Sequence, residues 1–185
     1  MSTRAQLRFV VRGEAINEDG EKVSEIKRAT QVYNHSDGYP ECILPDLRRL
    51  QRVIGRRVKH EDPSYIAAMF ITVGKLGTVA GLGGEELAPG DTFNEVYDPE
   101  VIAQSDVGKW LKLGYGVENV GPIHGGEEYV YIVDVSDPEW FVDVSEHNGF
   151  PRWDANDELE DTDAFEEATW QFSGSLDDGL DMFKS

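Results

Sequence analysis

Alternating apolar and polar positions near the start of the chain predict a half-buried strand. In residues 6–12 every second side chain is apolar, which is the period of a strand with one buried face. Residues 23–34 are again rich in β-branched and aromatic side chains, and Asp19 and Gly20 lie between the two segments. Because Asp-Gly is a favoured hairpin turn, we expect the two strands to pair as an antiparallel hairpin.

Two patterns with the period of an α-helix follow the hairpin. Apolar residues recur at spacings of three and four from Leu47 to Val58, so they share one face of a helix that we expect to hold Pro45 in its first turn. Residues 62–73 predict a second helix, which begins at an Asp-Pro cap and ends at Gly74. Its wide apolar stripe is typical of a helix in the core.

The remaining patterns complete an α+β fold. Residues 75–119 are glycine-punctuated and acidic, and we interpret them as an irregular insert. Residues 128–134 and 140–144 are strand patterns joined by a Ser-Asp-Pro-Glu turn, which predicts a second hairpin. The order predicts a mainly antiparallel sheet of two hairpins with two helices packed on one face. We assign residues 1–150 to this single domain and residues 151–185 to an acidic C-terminal tail, partly disordered or docked.

Charge is distributed very unevenly along the chain. The formal net charge is -19, from 36 acidic and 17 basic residues. Residues 1–75 carry 13 Lys or Arg and 10 Asp or Glu, whereas residues 76–185 carry 4 and 26. Such acidity opposes direct binding to nucleic acid and to anionic membranes. At molar salt the Debye length falls to roughly 3 Å, so acidic surfaces are tolerated, and we expect a halophilic archaeal source.

Cysteine content and the lack of long apolar segments predict the compartment. The single cysteine, Cys42, cannot form an intrachain disulfide and fits a reducing interior. The N-terminus has no apolar signal segment, and no apolar run approaches the roughly 20 residues that a membrane span requires. We therefore expect a soluble protein in the high-salt cytoplasm of a halophilic archaeon, or one that a virus encodes, and we expect no cofactor.

The chemically densest segment is Tyr-Asn-His-Ser-Asp-Gly-Tyr-Pro-Glu at residues 33–41, between an extended segment and a helix. We call it the signature segment, and its signature residues are Tyr33, His35, Asp37, Gly38, Tyr39 and Pro40. The catalytic candidates are His35, Asp37 and Glu41, as metal ligands or as an acid/base pair. The alternative is that Asp37 and Gly38 form a tight turn. We favour the turn, because one short cluster without a second ligand group rarely makes a site.

Partners for these candidates would have to come from elsewhere in the chain. The other histidines have no characteristic ligand spacing; they are His60, His124 and His147. Cys42 beside His35 could form a nucleophile pair, but its apolar neighbours Ile43 and Leu44 favour buried packing.

Four short segments occur in an order that is similar to a known family. They are residues 3–9, residues 33–41, residues 45–47 and residues 127–131. The chain resembles small proteins of unassigned activity from bacterial and archaeal viruses, plasmids and their hosts that share a Tyr-x-His-x-Asp-Gly-Tyr-Pro core. The resemblance covers residues 3–60 and 126–134. It implies a mobile-element or accessory role and a small α+β fold, and it supplies no catalytic residues.

Two further segments are candidates for binding a partner. The basic helix could contact phosphates, although we favour neutralisation of the acidic half or a solvated face; its candidate residues are Arg48, Arg49, Arg52, Arg56 and Arg57. Residues 171–183 place apolar anchors on an acidic background and are loosely similar to sliding-clamp-binding tails. The candidate docking residues are Trp170, Phe172, Leu180 and Phe183. Here we favour self-docking or disorder.

Together these features predict a non-enzymatic module that binds a macromolecule, with a protein as the expected partner. The charge polarity and the lack of a convincing catalytic constellation support this hypothesis. One alternative is a small metal-dependent hydrolase or nucleotide-handling enzyme centred on His35, Asp37 and Glu41. The other is an acidic nucleic-acid mimic that binds a basic protein.

Overall fold

The elements of the fold are known for most of the chain. The computed structural model describes residues 3–35, 37–54, 62–83, 115–118, 127–146 and 169–184. These residues form six strands and three helices. In chain order they are β1 (Ala5–Ile16), β2 (Lys22–Asn34), α1 (Pro40–Ile54), α2 (Pro63–Gly83), β3 (Tyr115–Glu118), β4 (Tyr129–Asp134), β5 (Phe141–Glu146), β6 (Phe172–Ser175) and α3 (Leu176–Met182).

The strands form one sheet in the order β3-β2-β1-β4-β5-β6. The central strand β1 pairs antiparallel with β2 and parallel with β4, and the other neighbours pair antiparallel. The predicted α+β class is confirmed, as are the two predicted hairpins, β1–β2 and β4–β5. The hairpins meet through a parallel contact, and two short strands that we did not predict as sheet edges, β3 and β6, extend the sheet on either side.

The hydrophobic core lies between one face of this sheet and the helices. Leu7 and Phe9 on β1 are fully buried and belong to the same cluster as Leu50 on α1 and Phe70 on α2. The rings of Phe9 and Phe70 have centroids 5.6 Å apart. Since burying one such side chain contributes roughly 1.5–3 kcal/mol, this cluster is the main source of the stability of the fold. The prediction that both helices pack on one face is confirmed.

Helix α1 begins earlier than predicted. Its first residue is Pro40, and Pro45 lies inside the helix, so the expectation of a first-turn position for Pro45 is wrong. Helical hydrogen bonding has already begun upstream, because the amides of Cys42 and Ile43 donate to the carbonyl of Tyr39 at 2.9 and 3.0 Å. The interior proline removes one helical hydrogen bond, and burial of the apolar face of α1 offsets this cost.

Helix α2 is longer than predicted. It continues to Gly83, so the expected end at Gly74 is wrong and residues 75–83 are helical rather than part of an irregular insert. A glycine inside a helix costs about 1 kcal/mol relative to alanine, and tertiary packing commonly outweighs a cost of that size. Gly74 itself is buried. None of the helices in the described part of the chain is long and apolar enough to cross a membrane.

The end of the chain is part of the sheet. Residues 172–182 form β6 and α3, and β6 pairs with β5 from Phe141 to Val144. Residues 169–184 are therefore docked on the domain, which is one of the two alternatives given for the predicted tail. Residues 151–168 lie outside the described residues.

The β1–β2 hairpin extends beyond the neighbouring strands. Strand β4 pairs with β1 only as far as Val10, and β3 pairs with β2 only from Gln31 onward. Among the described strands, residues 12–28 therefore pair only with one another, and we call this two-stranded segment the arm. Its base is held by Arg12, whose amide donates to the hydroxyl of Ser136 at 2.8 Å and whose Nε lies 3.2 Å from Asp134 Oδ2. At 3.3–3.4 Å per residue, residues 12–16 of β1 extend about 17 Å past the point where β4 stops pairing with β1. Every side chain from residue 22 to residue 28 is exposed.

Candidate functional site

The signature segment lies at one end of the sheet and connects β2 to α1. Its central residue, Gly38, is buried, and its amide donates a hydrogen bond of 3.0 Å to the carbonyl of Thr3. The hydroxyl of Tyr131 on β4 donates to the carbonyl of Gly38 at 2.6 Å. Both backbone polar groups of this glycine are thus satisfied by residues distant in sequence, which ties the segment to β1 and β4.

Gly38 has to be a glycine because of its neighbours. A Cβ atom at this position would lie 2.8 Å from the Cβ of Ala5 and 2.8 Å from the carbonyl carbon of Arg4. Real Cβ atoms do not approach backbone atoms so closely, and the start of β1 cannot move without disturbing the sheet. Asp37 is the only described non-glycine residue with a positive φ, 56°. The segment therefore combines a left-handed backbone at Asp37 with a close backbone approach at Gly38.

Residues 3–9, residues 33–41 and residues 127–131 meet here. The carbonyl of Arg4 accepts hydrogen bonds from the amides of Glu128 and Tyr129 at 2.9 and 3.2 Å. Residues 3–9 therefore contact the signature segment on one side and residues 127–131 on the other. These contacts hold the three segments together at one end of the sheet.

The catalytic candidates have different surroundings. His35 is half-buried, and its Nδ1 lies 3.1 Å from the hydroxyl of Tyr33, with the two rings edge to face. Asp37 and Glu41 are exposed. Within the described residues no group of three or more His, Cys, Asp or Glu side chains could hold a metal ion. The histidines proposed as further partners lie outside the described residues; they are His60, His124 and His147.

Tyrosines and carboxylates surround the segment where it meets β4. The ring centroids of Tyr39 and Tyr129 are 5.8 Å apart, and those of Tyr129 and Tyr131 are 6.4 Å apart. Burial, followed by the charges of Glu146 and Glu41, raises the pKa of Tyr129. Burial, ahead of the neighbouring groups, raises the pKa of Tyr131 well above its usual value. Both phenols are therefore neutral hydrogen-bond donors at physiological pH.

Cys42 is exposed, so the expectation of buried packing is wrong. Its surroundings nevertheless do not activate the thiol. Partial burial, followed by the charges of Asp37, Glu41 and Asp46, raises the pKa of the Cys42 thiol. A nucleophilic cysteine requires the opposite shift, because the thiolate is the reactive form.

We expect Cys42 to react with iodoacetamide at pH 8 several-fold more slowly than free cysteine, because a raised thiol pKa leaves less thiolate at that pH. The rate can be followed by mass spectrometry. Glu41→Gln removes one of the negative charges that disfavour the thiolate and should raise the rate. A wild-type rate equal to or above that of free cysteine would contradict the proposed environment.

The arginines of α1 take part in contacts within the chain. Arg48 forms an ion pair with Asp177 at the start of α3 and also donates to Gln51. Arg49 forms an ion pair with Asp46 one turn earlier. Arg48 thus contacts the acidic C-terminal segment. Neutralisation of acidic residues is one of the two roles favoured for this helix, and the other is a solvated face. Among the other candidate arginines, Arg52 is exposed, and outside the described residues lie Arg56 and Arg57.

Most of the candidate docking residues pack on their own chain. Phe172, Leu180 and Phe183 are half-buried against the core, and the rings of Phe172 and Phe183 meet edge to face with centroids 6.1 Å apart. Trp170 is half-buried. A groove of about 290 Å³ lies between the first turns of α1 and the C-terminal end of α3. It is lined by Pro40, Glu41, Leu44, Pro45, Leu180, Phe183 and Lys184.

The arm is the feature that sequence reasoning missed. The hairpin was predicted, but its projection past the sheet was not, because the length of β4 opposite β1 is not a local property of the sequence. The available signal is the length of the hairpin. Its second strand is predicted over the twelve residues 23–34, whereas the strand predicted at 128–134 has seven. Its apolar side chains remain exposed, at 73% for Ile16, 39% for Val23 and 37% for Ile26.

Comparison with protein-family models, with curated proteins and with solved structures finds no match to this chain.

Proposed function

We propose that this chain is a non-enzymatic module that binds a protein partner through the arm, residues 12–28. The observation that supports it most directly is the exposure of three apolar side chains, Ile16, Val23 and Ile26, on a ribbon that leaves the sheet. Ile16 and Ile26 lie on one face of the ribbon and Val23 lies on the other, as the register shows. A two-stranded ribbon alone is marginally stable in water, and exposed apolar side chains are typical of interaction surfaces. A partner that covers these side chains would stabilise the arm and gain affinity.

The charge of the arm suits this role. Residues 12–28 carry 4 basic and 5 acidic side chains, in a chain whose formal net charge is -19. Long-range repulsion of another acidic protein is therefore weakest at this part of the surface. The acidic composition also supports the proposed setting, the high-salt cytoplasm of a halophilic archaeon or of a cell infected by its virus.

The contacts of the signature segment support a structural rather than a catalytic role for it. Gly38 uses its amide and its carbonyl to connect β1, β4 and α1, and the pKa of Cys42 is raised rather than lowered. We propose that the family resemblance marks a shared way of assembling the fold, in proteins of mobile elements and their hosts.

The proposal can be tested by pull-down from a halophilic archaeal lysate at molar KCl. The test variant replaces the apolar side chains of the arm by serine; the substitutions are Ile16→Ser, Val23→Ser and Ile26→Ser. Because these side chains are exposed, the variant should fold, and its urea midpoint should stay close to that of the wild type. We expect it to lose the proteins that the wild-type chain captures.

A matched control makes exposed apolar side chains polar elsewhere. Phe141 on β5 and Tyr65 on α2 are 55% and 48% exposed and lie outside the arm. The variant with Phe141→Ser and Tyr65→Ser should capture the same proteins as the wild type. Equal capture by the arm variant and the wild type would contradict the proposal.

A further inference from the structure

We propose that the partner of the arm is the arm of a second copy of this chain, paired antiparallel along the outer edge of β2. This inference rests on the proposed function and identifies the partner. Residues 22–28 on this edge are exposed, and among the described strands only β1 pairs with residues 22–30. Exposed backbone amides and carbonyls at such an edge can add another strand.

The charges along this edge match those of an antiparallel copy. Glu25 and Lys27 lie on the same side of β2, with Lys27 Nζ and Glu25 Oε2 2.8 Å apart. The stem of Lys27 passes over Gly13, where an added Cβ would lie 3.0 Å from Lys27 Cγ. If two copies pair with Ile26 opposite Ile26, Glu25 of each copy faces Lys27 of the other. Two opposite-charge pairs then flank a central pair of apolar side chains.

The neighbouring registers are disfavoured. Pairing centred on Glu25 places two carboxylates opposite each other, and pairing centred on Lys27 places two ammonium groups opposite each other. Like charges directly across a sheet are destabilising, so of these three registers the charge pattern favours the one centred on Ile26.

The irregularity of the arm restricts the choice of partner. The β1–β2 register shifts between Val11 and Arg12, which leaves Lys27 as an extra residue on β2. Bulges and charges on an edge protect it against unrelated strands. A strand with the complementary charge order is not repelled, and the antiparallel copy of β2 has that order. The same residues thus oppose general aggregation and permit self-pairing.

Salt is expected to favour the dimer. Two chains of formal net charge -19 repel each other over long distances at low salt. At about 1 M salt the Debye length is roughly 3 Å, so this repulsion is largely screened while charges in direct contact still interact.

The test is a charge exchange between two variants, measured by sedimentation equilibrium at about 1 M KCl. Glu25→Lys alone and Lys27→Glu alone each place like charges opposite each other in the homodimer. We expect each to dimerise about tenfold more weakly than the wild type. An equal mixture of the two variants restores both opposite-charge pairs and should form heterodimers with about the wild-type constant.

The matched controls change charge at another ion pair of the arm. Lys22 and Glu14 also lie 2.8 Å apart, but in the proposed register neither faces the other across the interface. Glu14→Lys and Lys22→Glu make the same charge changes, and mixing them should give no selective heterodimer.

The possible outcomes separate this inference from the proposed function. A wild-type chain that is monomeric at every salt concentration, or control variants that exchange like the test variants, would overturn the self-pairing. If the serine variant of the arm then still loses its captured proteins, the proposed function stands with a different partner. If it captures them unchanged, the proposed function fails as well.

Discussion

Replacing Gly38 by alanine is expected to destabilise the protein by about 3 kcal/mol, the upper part of the usual range for overpacking. The added Cβ would lie 2.8 Å from the Cβ of Ala5 and 2.8 Å from the carbonyl carbon of Arg4. Neither atom belongs to a flexible side chain, and Ala5 is fully buried at the start of the central strand. Relief requires the signature segment to move away, which would lengthen the hydrogen bond to Thr3 as well.

Urea unfolding of Gly38→Ala gives the measurement, and urea is preferable to guanidinium because it leaves the ionic strength unchanged. Gly116→Ala is the matched control. Its Cβ would have only an ordinary contact, 3.9 Å from the Cβ of Tyr33, and Gly116 lies on the short edge strand β3. The control should cost less than about 0.5 kcal/mol. Similar values for the two variants would show that the close approach does not constrain residue 38.

Local patterns predicted the parts of the fold that depend on local sequence. Leu7 and Phe9 on β1 face the core, as the alternation predicts. Gln6 and Val10 on the other face are fully buried as well, so the prediction of a half-buried strand is wrong for this part of β1. The parallel contact between β1 and β4 depends on residues more than a hundred positions apart, and no periodicity encodes such a partner. The same holds for β6, whose four residues form a strand because β5 offers an edge there.

The candidate site was located from the sequence, but its role was not. A short segment rich in histidine, carboxylate and glycine is typical of a catalytic or metal site, and this composition distinguishes residues 33–41 from the rest of the chain. The role of Gly38 is set by the proximity of Thr3 and Arg4, which the strand pairing of β1 creates. The site is thus a consequence of topology, and a glycine that avoids a clash cannot be distinguished in sequence from one that makes a turn.

Tyr131→Phe is expected to destabilise the protein by about 2 kcal/mol, because the change removes one hydroxyl and leaves the shape of the side chain unchanged. Tyr131 is fully buried, and its hydroxyl donates to the carbonyl of Gly38 at 2.6 Å. Without the donor this buried carbonyl loses its partner from β4, and an unsatisfied buried polar group costs about 1–3 kcal/mol. Burial also raises the pKa of Tyr131 well above its usual value, so the hydroxyl donates throughout the neutral pH range.

Tyr129→Phe is the control for this change, since it removes the same hydroxyl from the adjacent tyrosine of the same strand. Tyr129 is only half-buried, whereas Tyr131 is fully buried. Its loss should cost less than about 0.5 kcal/mol in urea unfolding. The pair of variants also separates stability from binding. If the signature segment stabilises the fold and the arm binds the partner, Tyr131→Phe should lower the urea midpoint. The folded variant should still capture the partner as the wild type does. Loss of capture without loss of stability would place the signature segment in the binding surface.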